Sequence, residues 1–547
     1  MVCAEFAGQA PRWARAVPPI LASGALRPVG PRAVADLARS LWLLGPTPAM
    51  LLTASAIRYP DRVAIVDDDG ALTYGRLREQ FEAVAAAIAA LAPRRPASVG
   101  ILCRNHRGFV VAMGAGARLG AELIFVNTEL PQQQLQAILE RHDPDVLIYD
   151  EEYAAAVADS QFRGLRVLAW HEQLTGTDDL PTLDVLAQQR HPAPPPVRKA
   201  VKVTLLTSGT TGVAKGVPRA VPMKAIAELS ATAMTTLRLR SRDTALVAPP
   251  FFHAYGLAAL LGPLVLGGTL ICHRRYDAAQ VLDDIARHRV TVLMAVPVML
   301  QRLLEVGTAG ADLTSLRLVV TGAAPISPTT ITAVIDTFGP ILVNGYGSTE
   351  AGLVAIATQR DLAEAPSTLG RPALGVSIRI LRPDWSLARV GETGRIFVRG
   401  GLGYDGYTPD RVARPRAKEI VDGYVDTGDM GFLDAQGRLY IDGRSDDMIV
   451  SGGENVFPGE VEDRLVAHPD VTDAVVIGVA DTEFGQVLHA FVVLAPGADP
   501  TDDELKRHVK AGLERYKVPK RFTRIDRIPR NPSGKVVRSK LQAHNES

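Results

Sequence analysis

The sequence predicts an α/β protein built from a large N-terminal part, a small β-barrel and a compact tail. Three observations carry that expectation. Strand-like apolar runs alternate with helical ones as far as about residue 350, which is what a parallel sheet covered on both faces requires. From about 367 to 440 the texture changes to short strands and turns ("VSIRIL", "GRIFVRG", "RLYIDGR"), the pattern of a small barrel. After "GRSDDMIV" a helix, two strands and a second helix follow closely.

In order along the chain, "RVAIVDDDGALTYGRLREQFEAVAAAIAAL" reads as a hairpin turning at Asp69-Gly70 and then an amphipathic helix. "SVGILCRN" is strand-like, "HRGFVVAMGAGARLGA" helical, and "ELIFVN", a helical stretch and "VLIYD" repeat the alternation. A proline-rich break, "HPAPPPVRK", reads as a loop because the alternation resumes after it. The second block opens with "VKVTLL" and continues through "TALVAPPFFHAYGL", "VTVLMAVPVML", "LRLVVTGAAPI" and "ILVNGYGSTEAG". Each apolar run ends in small or polar residues, and open parallel sheets bind ligands beyond such strand ends. In the tail, "PGEVEDRLVAH" and "TDDELKRHVKAGLERY" are helical, and "DAVVIGVA" and "HAFVVL" are strands.

Composition narrows the function classes. Lys plus Arg is 60 against 59 Asp plus Glu, so the chain lacks the basic excess of a protein that coats nucleic acid. Cys3, Cys103 and Cys272 lie far apart without metal-ligand spacing, which suits a reducing, cytoplasmic setting and rules out a disulfide scaffold. No window offers about 20 apolar residues, so no helix is expected to span a bilayer. The N-terminal stretch carries Arg12, Arg15, Arg27, Arg32 and Arg39 with little acid, superficially like a transit peptide, but is read as an extension (1–48) docked on the domain surface. Val34, Leu37, Leu41 and Leu44 share one helical face beside Trp42, read as core-facing, with a peripheral membrane contact left open. Only 11 of the 60 basic residues are lysine and none precedes Lys199, so a lysine in a glycine loop points to a need for a compact ammonium.

That loop is "TSGTTGVAKG". Gly209 and Gly212 let backbone approach an oxyanion, Thr207, Ser208, Thr210 and Thr211 add hydroxyl donors, and Lys215 can reach a terminal phosphate. The Walker A pattern fails, because Gly216 follows the lysine where a magnesium-binding hydroxyl is needed. A hydroxyl-rich loop without a ligand is the plainer alternative.

Five motifs in order, "TSGTTGVAKG", "GYGSTEAG", "YVDTGDMG", "DGRSDDMIVSGGENVFPGEVE" and "PRNPSGKVVR", resemble those of the adenylate-forming superfamily. That group includes acyl-CoA synthetases, peptide-synthetase adenylation domains and luciferases. The resemblance runs from about residue 50 to 545; Ala214 departs from it, standing where proline often precedes the lysine. It implies a large domain (49–445) of two stacked α/β layers plus the barrel, and a mobile α+β domain (446–547) turning about Asp446.

By the same resemblance, Gly322, Ala323, Ala324, Asn344, Gly345, Tyr346 and Gly347 form an adenine slot, with Tyr346 stacking on the base. Thr349 contacts the α-phosphate, Glu350 holds Mg²⁺ bridging phosphate oxygens, and Asp429 and Arg444 hold the ribose. His253, Gly322, Gly347 and Leu353 line the acyl site, where the two glycines are expected to leave room for a chain. Lys535 is the implied catalytic lysine of adenylation, with Lys215 assisting the leaving group and His253 positioning the carboxylate. Arg275, Ser451, Gly452 and Gly453 are expected at the coenzyme A. The implied reaction activates a carboxylic acid with ATP as acyl-AMP and transfers the acyl group to coenzyme A. The phrasing of "GGENVFP" and "DGYVDTGD" looks most like bacterial fatty acyl-CoA synthetases, so a medium- or long-chain fatty acid is expected. A free-standing adenylation enzyme loading a carrier protein, a non-catalytic nucleotide-binding homologue and a luciferase-like oxygenase stay open, as does the choice between monomer and homodimer.

Overall fold

Apolar strands bounded by small residues assemble into two neighbouring sheets in the computed structural model, which describes residues 16–25, 27–172, 180–198, 200–207, 215–220, 222–400, 402, 418–445, 447–451, 454–481, 484–531 and 534–542. The first sheet runs Leu165–Trp170, Val146–Asp150, Ser98–Leu102, Glu122–Phe125, Lys202–Thr207, all parallel, and closes with antiparallel Lys215–Ala220 at its edge. The second has nine strands among the described residues. Its centre is the parallel set Thr269–Ile271, Thr244–Val247, Val292–Met294, Leu318–Gly322 and Leu342–Ser348. The expected hairpin Val63–Asp67/Gly70–Thr73 forms one edge of this second sheet.

One hydrophobic core joins the two sheets, passing from Ile101 and Phe125 through the helices Tyr74–Leu91 and Arg107–Leu119 to Val247 and Val320. Phe109 is its junction, with Phe125 at 5.1 Å on one side and Phe251 edge-on at 5.5 Å on the other. Such a core makes the sheets a rigid platform for whatever binds at their strand ends.

Residues 16–25 and 27–48 pack on this platform. Ala16 packs with Ala231 and Leu374, and Ser241 N–H donates to Ser23 O at 2.9 Å. The helix Pro31–Leu44 corrects the expected core-facing stripe: Leu44 is buried, but Val34, Leu41 and Trp42 are exposed. Ser40 takes the buried position instead, because the helix packs one side against Pro48–Arg58. No described helix is long and apolar enough to cross a membrane.

The segment read as a barrel is an antiparallel sheet of Ser377–Leu381, Gly394–Arg399, Ile420–Val421, Tyr424–Leu433 and Leu439–Arg444, whose described pairings form an open path. The tail folds into a second small unit. The long hairpin Val471–Asp481/Gly485–Leu494 carries the helices Pro458–Val466 and Asp502–Lys510 over its own core of Val461, Leu465, Val476 and Leu505.

Candidate active site

Strand pairing gathers the glycine-rich motifs. Gly322 stands opposite Gly345 in parallel strands, and Gly347 stands opposite Leu353 across a tight antiparallel turn that contains Thr349 and Glu350. Ala323, just past its strand, has φ 68°, a left-handed conformation costing a non-glycine residue roughly 1–2 kcal/mol. Gly322 and Gly347 do not open space for an acyl chain. A Cβ on Gly322 would lie 2.4 Å from Gly345 O, and one on Gly347 would lie 2.2 Å from Gly352 O. Neighbouring backbone fills the room that the sequence expectation gave to the substrate.

The opposite wall is the strand Tyr424–Leu433, paired so that Asp429 faces Arg444. The Asp429 carboxylate is buried; one oxygen accepts from the Tyr346 hydroxyl and the other lies 3.7 Å from Arg444 Nη1. Burial pushes the Asp429 carboxyl above its ordinary range, while the Tyr346 hydroxyl and the cations Arg444, Lys418 and Lys535 pull the other way.

Lys535 reaches this wall from the far end of the chain. Its loop is braced internally: Asn531 exchanges two hydrogen bonds with Lys535, at 2.8 and 2.9 Å, and Arg530 bridges Gly534 O and the Asp473 carboxylate. A Cβ on Gly534 would lie 3.5 Å from Val298 and 3.6 Å from Ala324, so the loop is seated against the large domain. The Lys535 side chain opens into the cleft but is enclosed by protein in other directions. That enclosure and Arg444 lower its pKa, against the opposing pull of Glu350 and Asp429. His253 begins the helix Ala254–Leu266 with its ring 4.4 Å from Phe252. Its Nε2 is shut off from solvent without a hydrogen-bond partner, and burial, then Lys535, lower its pKa to about 4. It is therefore a neutral imidazole near pH 7, suited to holding an ionised acid and not to charging.

Six sequence-predicted residues thus share one cleft: His253, Tyr346, Glu350, Asp429, Arg444 and Lys535. Thr207 and Lys215 are strand partners at the two ends of the phosphate loop. The loop residues Ser208, Gly209, Thr210, Thr211, Gly212 and Ala214, with Asp446, Gly452 and Gly453, lie outside the described residues. Ser451 is buried in the tail's sheet, and Arg275 is exposed, 3.5 Å from Glu152.

Two residues escaped the sequence reading. Lys418 Nζ donates to Thr427 O at 3.0 Å, beside Asp429; the scarcity of lysine could have singled it out. Arg219 donates from Nη2 to the carbonyls of both Thr349 and Glu350, and a charged residue inside a buried strand was the available signal.

A magnesium ion fits the turn. Such an ion is usually held by one or two carboxylates plus substrate phosphates, and Glu350 supplies a carboxylate near enough to Lys535 to pull its pKa upward. The one cluster of three potential metal ligands among the described residues is elsewhere: Cys103, His106 and Asp150. There both histidine nitrogens are engaged within the protein, Nε2 with Asp150 at 2.8 Å and Nδ1 with Gly108 N–H at 3.1 Å, which makes it a helix-capping network.

Residues 52–408 match the family model of the AMP-binding enzymes, and residues 460–535 match the model of their C-terminal domain. The chain belongs to the AMP-binding enzymes. Among relatives of this AMP-binding enzyme, a feruloyl-CoA synthase of an Amycolatopsis species is 33% identical over 88% of this chain and 96% of its own. A 2-succinylbenzoate–CoA ligase of Bacillus licheniformis is 31% identical over 88% of this chain and 97% of its own. The solved structure of o-succinylbenzoate CoA synthetase from Bacillus subtilis, in complex with its acyl-adenylate intermediate, superposes with a TM-score of 0.77 at 29% identity. That match covers 90% of this chain and 97% of the other.

Proposed function

We propose that this protein is an AMP-forming ligase joining an aryl carboxylic acid to coenzyme A. The observation that carries the reading is the seating of Lys535 in the cleft with Asp429, Arg444 and Glu350. In the first step a carboxylate oxygen attacks the α-phosphorus of ATP, the bond to the β-phosphate oxygen breaks, and pyrophosphate leaves. Asp429 accepts from the ribose hydroxyls, leaving Tyr346 its existing hydrogen bond to that carboxylate and its ring face for adenine. Neutral His253 directs the acid, and Lys535 neutralises charge growing between the acid and the α-phosphate. Glu350 would hold magnesium, which supplies charge neutralisation on the phosphate oxygens. Lys215 and the glycine loop take the phosphates that leave. In the second step the thiol sulfur attacks the acyl carbon, AMP leaves and the thiol proton passes to solvent. Rotation about Asp446 withdraws Lys535 and brings Ser451, Gly452 and Gly453 to the thiol, with Arg275 near the coenzyme A phosphates.

The relatives support an aryl acid over the fatty acid expected from sequence, since two that match nearly their whole length are named for ferulate and 2-succinylbenzoate. Filled space at Gly322 and Gly347, which leaves less room for a long chain, points the same way. The test incubates the protein with Mg²⁺·ATP, coenzyme A and either hydroxycinnamic and benzoic acids or fatty acids of increasing length. Aryl-CoA and AMP are expected in equal amounts by mass spectrometry. Preference for fatty acids, or transfer only to a carrier protein, overturns the reading.

A further inference from the structure

We propose that Arg219 is a positioning residue that aims the Glu350 carboxylate at the metal of the nucleotide, an inference that rests on the adenylation reading above. Arg219 lies on the strand Lys215–Ala220, the return arm of the phosphate hairpin, opposite Val203. It is 8% exposed, and its Nη2 donates to the carbonyl oxygens of Thr349 and Glu350. Hydrogen bonds from a guanidinium are charge-assisted and directional, so two to adjacent carbonyls hold geometry firmly.

Which carbonyls are held matters. A peptide unit is planar, so fixing its carbonyl fixes the whole plane. The Thr349 carbonyl belongs to the plane before Glu350, and the Glu350 carbonyl to the plane after it. Arg219 therefore pins both planes flanking Glu350, and with them the direction of its Cα–Cβ bond. The second plane is also held from its other edge, where Ala351 N–H donates to Ser348 Oγ at 3.0 Å. Glu350 has no such constraint from regular structure, since it sits in the turn between the strands Leu342–Ser348 and Gly352–Ala357. The same arginine is four residues beyond Lys215. It makes the arm that carries the phosphate-loop lysine and the turn that carries the metal carboxylate one mechanical unit across the two sheets.

The test measures metal binding without turnover. Mn²⁺ replaces Mg²⁺, with the ATP analogue carrying a methylene between the α- and β-phosphorus, and binding is followed by electron paramagnetic resonance. Arg219→Gln should weaken Mn²⁺ binding to the protein–analogue complex by roughly 10–100-fold, as loss of a group orienting a metal ligand does. Arg219→Lys, which keeps the charge and enough donors but has a shorter reach and no planar head, should fall in between and serves if the glutamine variant does not fold. Adenosine affinity, which needs neither the metal nor the α-phosphate contact of Thr349, should stay within about threefold of wild type. The inference is overturned if Mn²⁺ affinity is unchanged, or if Mn²⁺ and adenosine affinities fall by the same factor, as general loosening would cause. If the wild type binds the manganese complex and the variants lose it while no aryl acid is turned over, the substrate reading fails and the role of Arg219 stands. If the wild type binds no manganese complex, both fail.

Discussion

Replacing Lys535 by alanine separates the two half-reactions. Its ammonium sits in a cleft enclosed enough to lower its pKa, with Asp429 and Glu350 on one side of the balance and Arg444 on the other. A unit charge about 4 Å from the charge developing in the transition state, at an effective dielectric near 20, is worth about 4 kcal/mol. At about 1.4 kcal/mol per decade that predicts a loss on the order of 10³ in adenylate formation. If the tail turns as proposed, the second step gains nothing from this ammonium, and thioester formation from synthetic acyl-AMP should stay within about threefold. The assay compares single-turnover release of pyrophosphate from Mg²⁺·ATP and acid with coenzyme A acylation from supplied acyl-AMP. Loss in both steps by the same factor would refute separate roles for the tail domain. A loss below about tenfold in the first would refute the electrostatic argument.

Other outcomes follow from the same geometry. Adenylation should fall on the acid side as Asp429 protonates and on the alkaline side as Lys535 deprotonates, the first limb above the ordinary carboxylate range and the second below the ordinary lysine range. Tyr346→Phe removes a hydrogen bond that favours the ionised Asp429, so the acid limb should move up by roughly one pH unit; an unmoved limb contradicts the pairing. Gly322→Ala and Gly347→Ala should destabilise the fold by about 1–3 kcal/mol and depress adenylation of every acid alike, because the added methyl meets backbone. Selective loss of long acids alone would instead mean that these glycines make room for substrate. Burial, then Lys535, hold the pKa of His253 down at about 4 in the folded chain against an ordinary 6.5, so the unfolded chain takes up its proton first on acidification. Wild-type stability should therefore fall as pH drops from 6.5 towards 4, and by more than that of His253→Asn, read as the melting temperature across that range.

Much of the site was legible because its residues lie in short motifs with their own chemistry. A carboxylate beside a phosphate loop implies a metal, and an isolated lysine in an arginine-rich chain implies a specific ammonium. Strand ends were legible from apolar runs stopping at glycine and alanine. The glycines themselves misled, since a missing side chain reads equally as space for a ligand or space for another strand, and only the partner backbone decides. The stripe on Pro31–Leu44 misled for a related reason: an amphipathic pattern says that a face is apolar, not which neighbour covers it. A charge inside a buried strand marked Arg219, but its role was not legible, because its partners are carbonyls more than a hundred positions away, which no side-chain pattern records.

The most direct test of the central claim is exchange of radiolabelled pyrophosphate into ATP by the wild-type protein, acid by acid, without coenzyme A. The account predicts exchange that requires a divalent metal and an aryl acid, with AMP appearing once coenzyme A is added. No acid-dependent exchange, or release of ADP and phosphate in place of AMP and pyrophosphate, would contradict it.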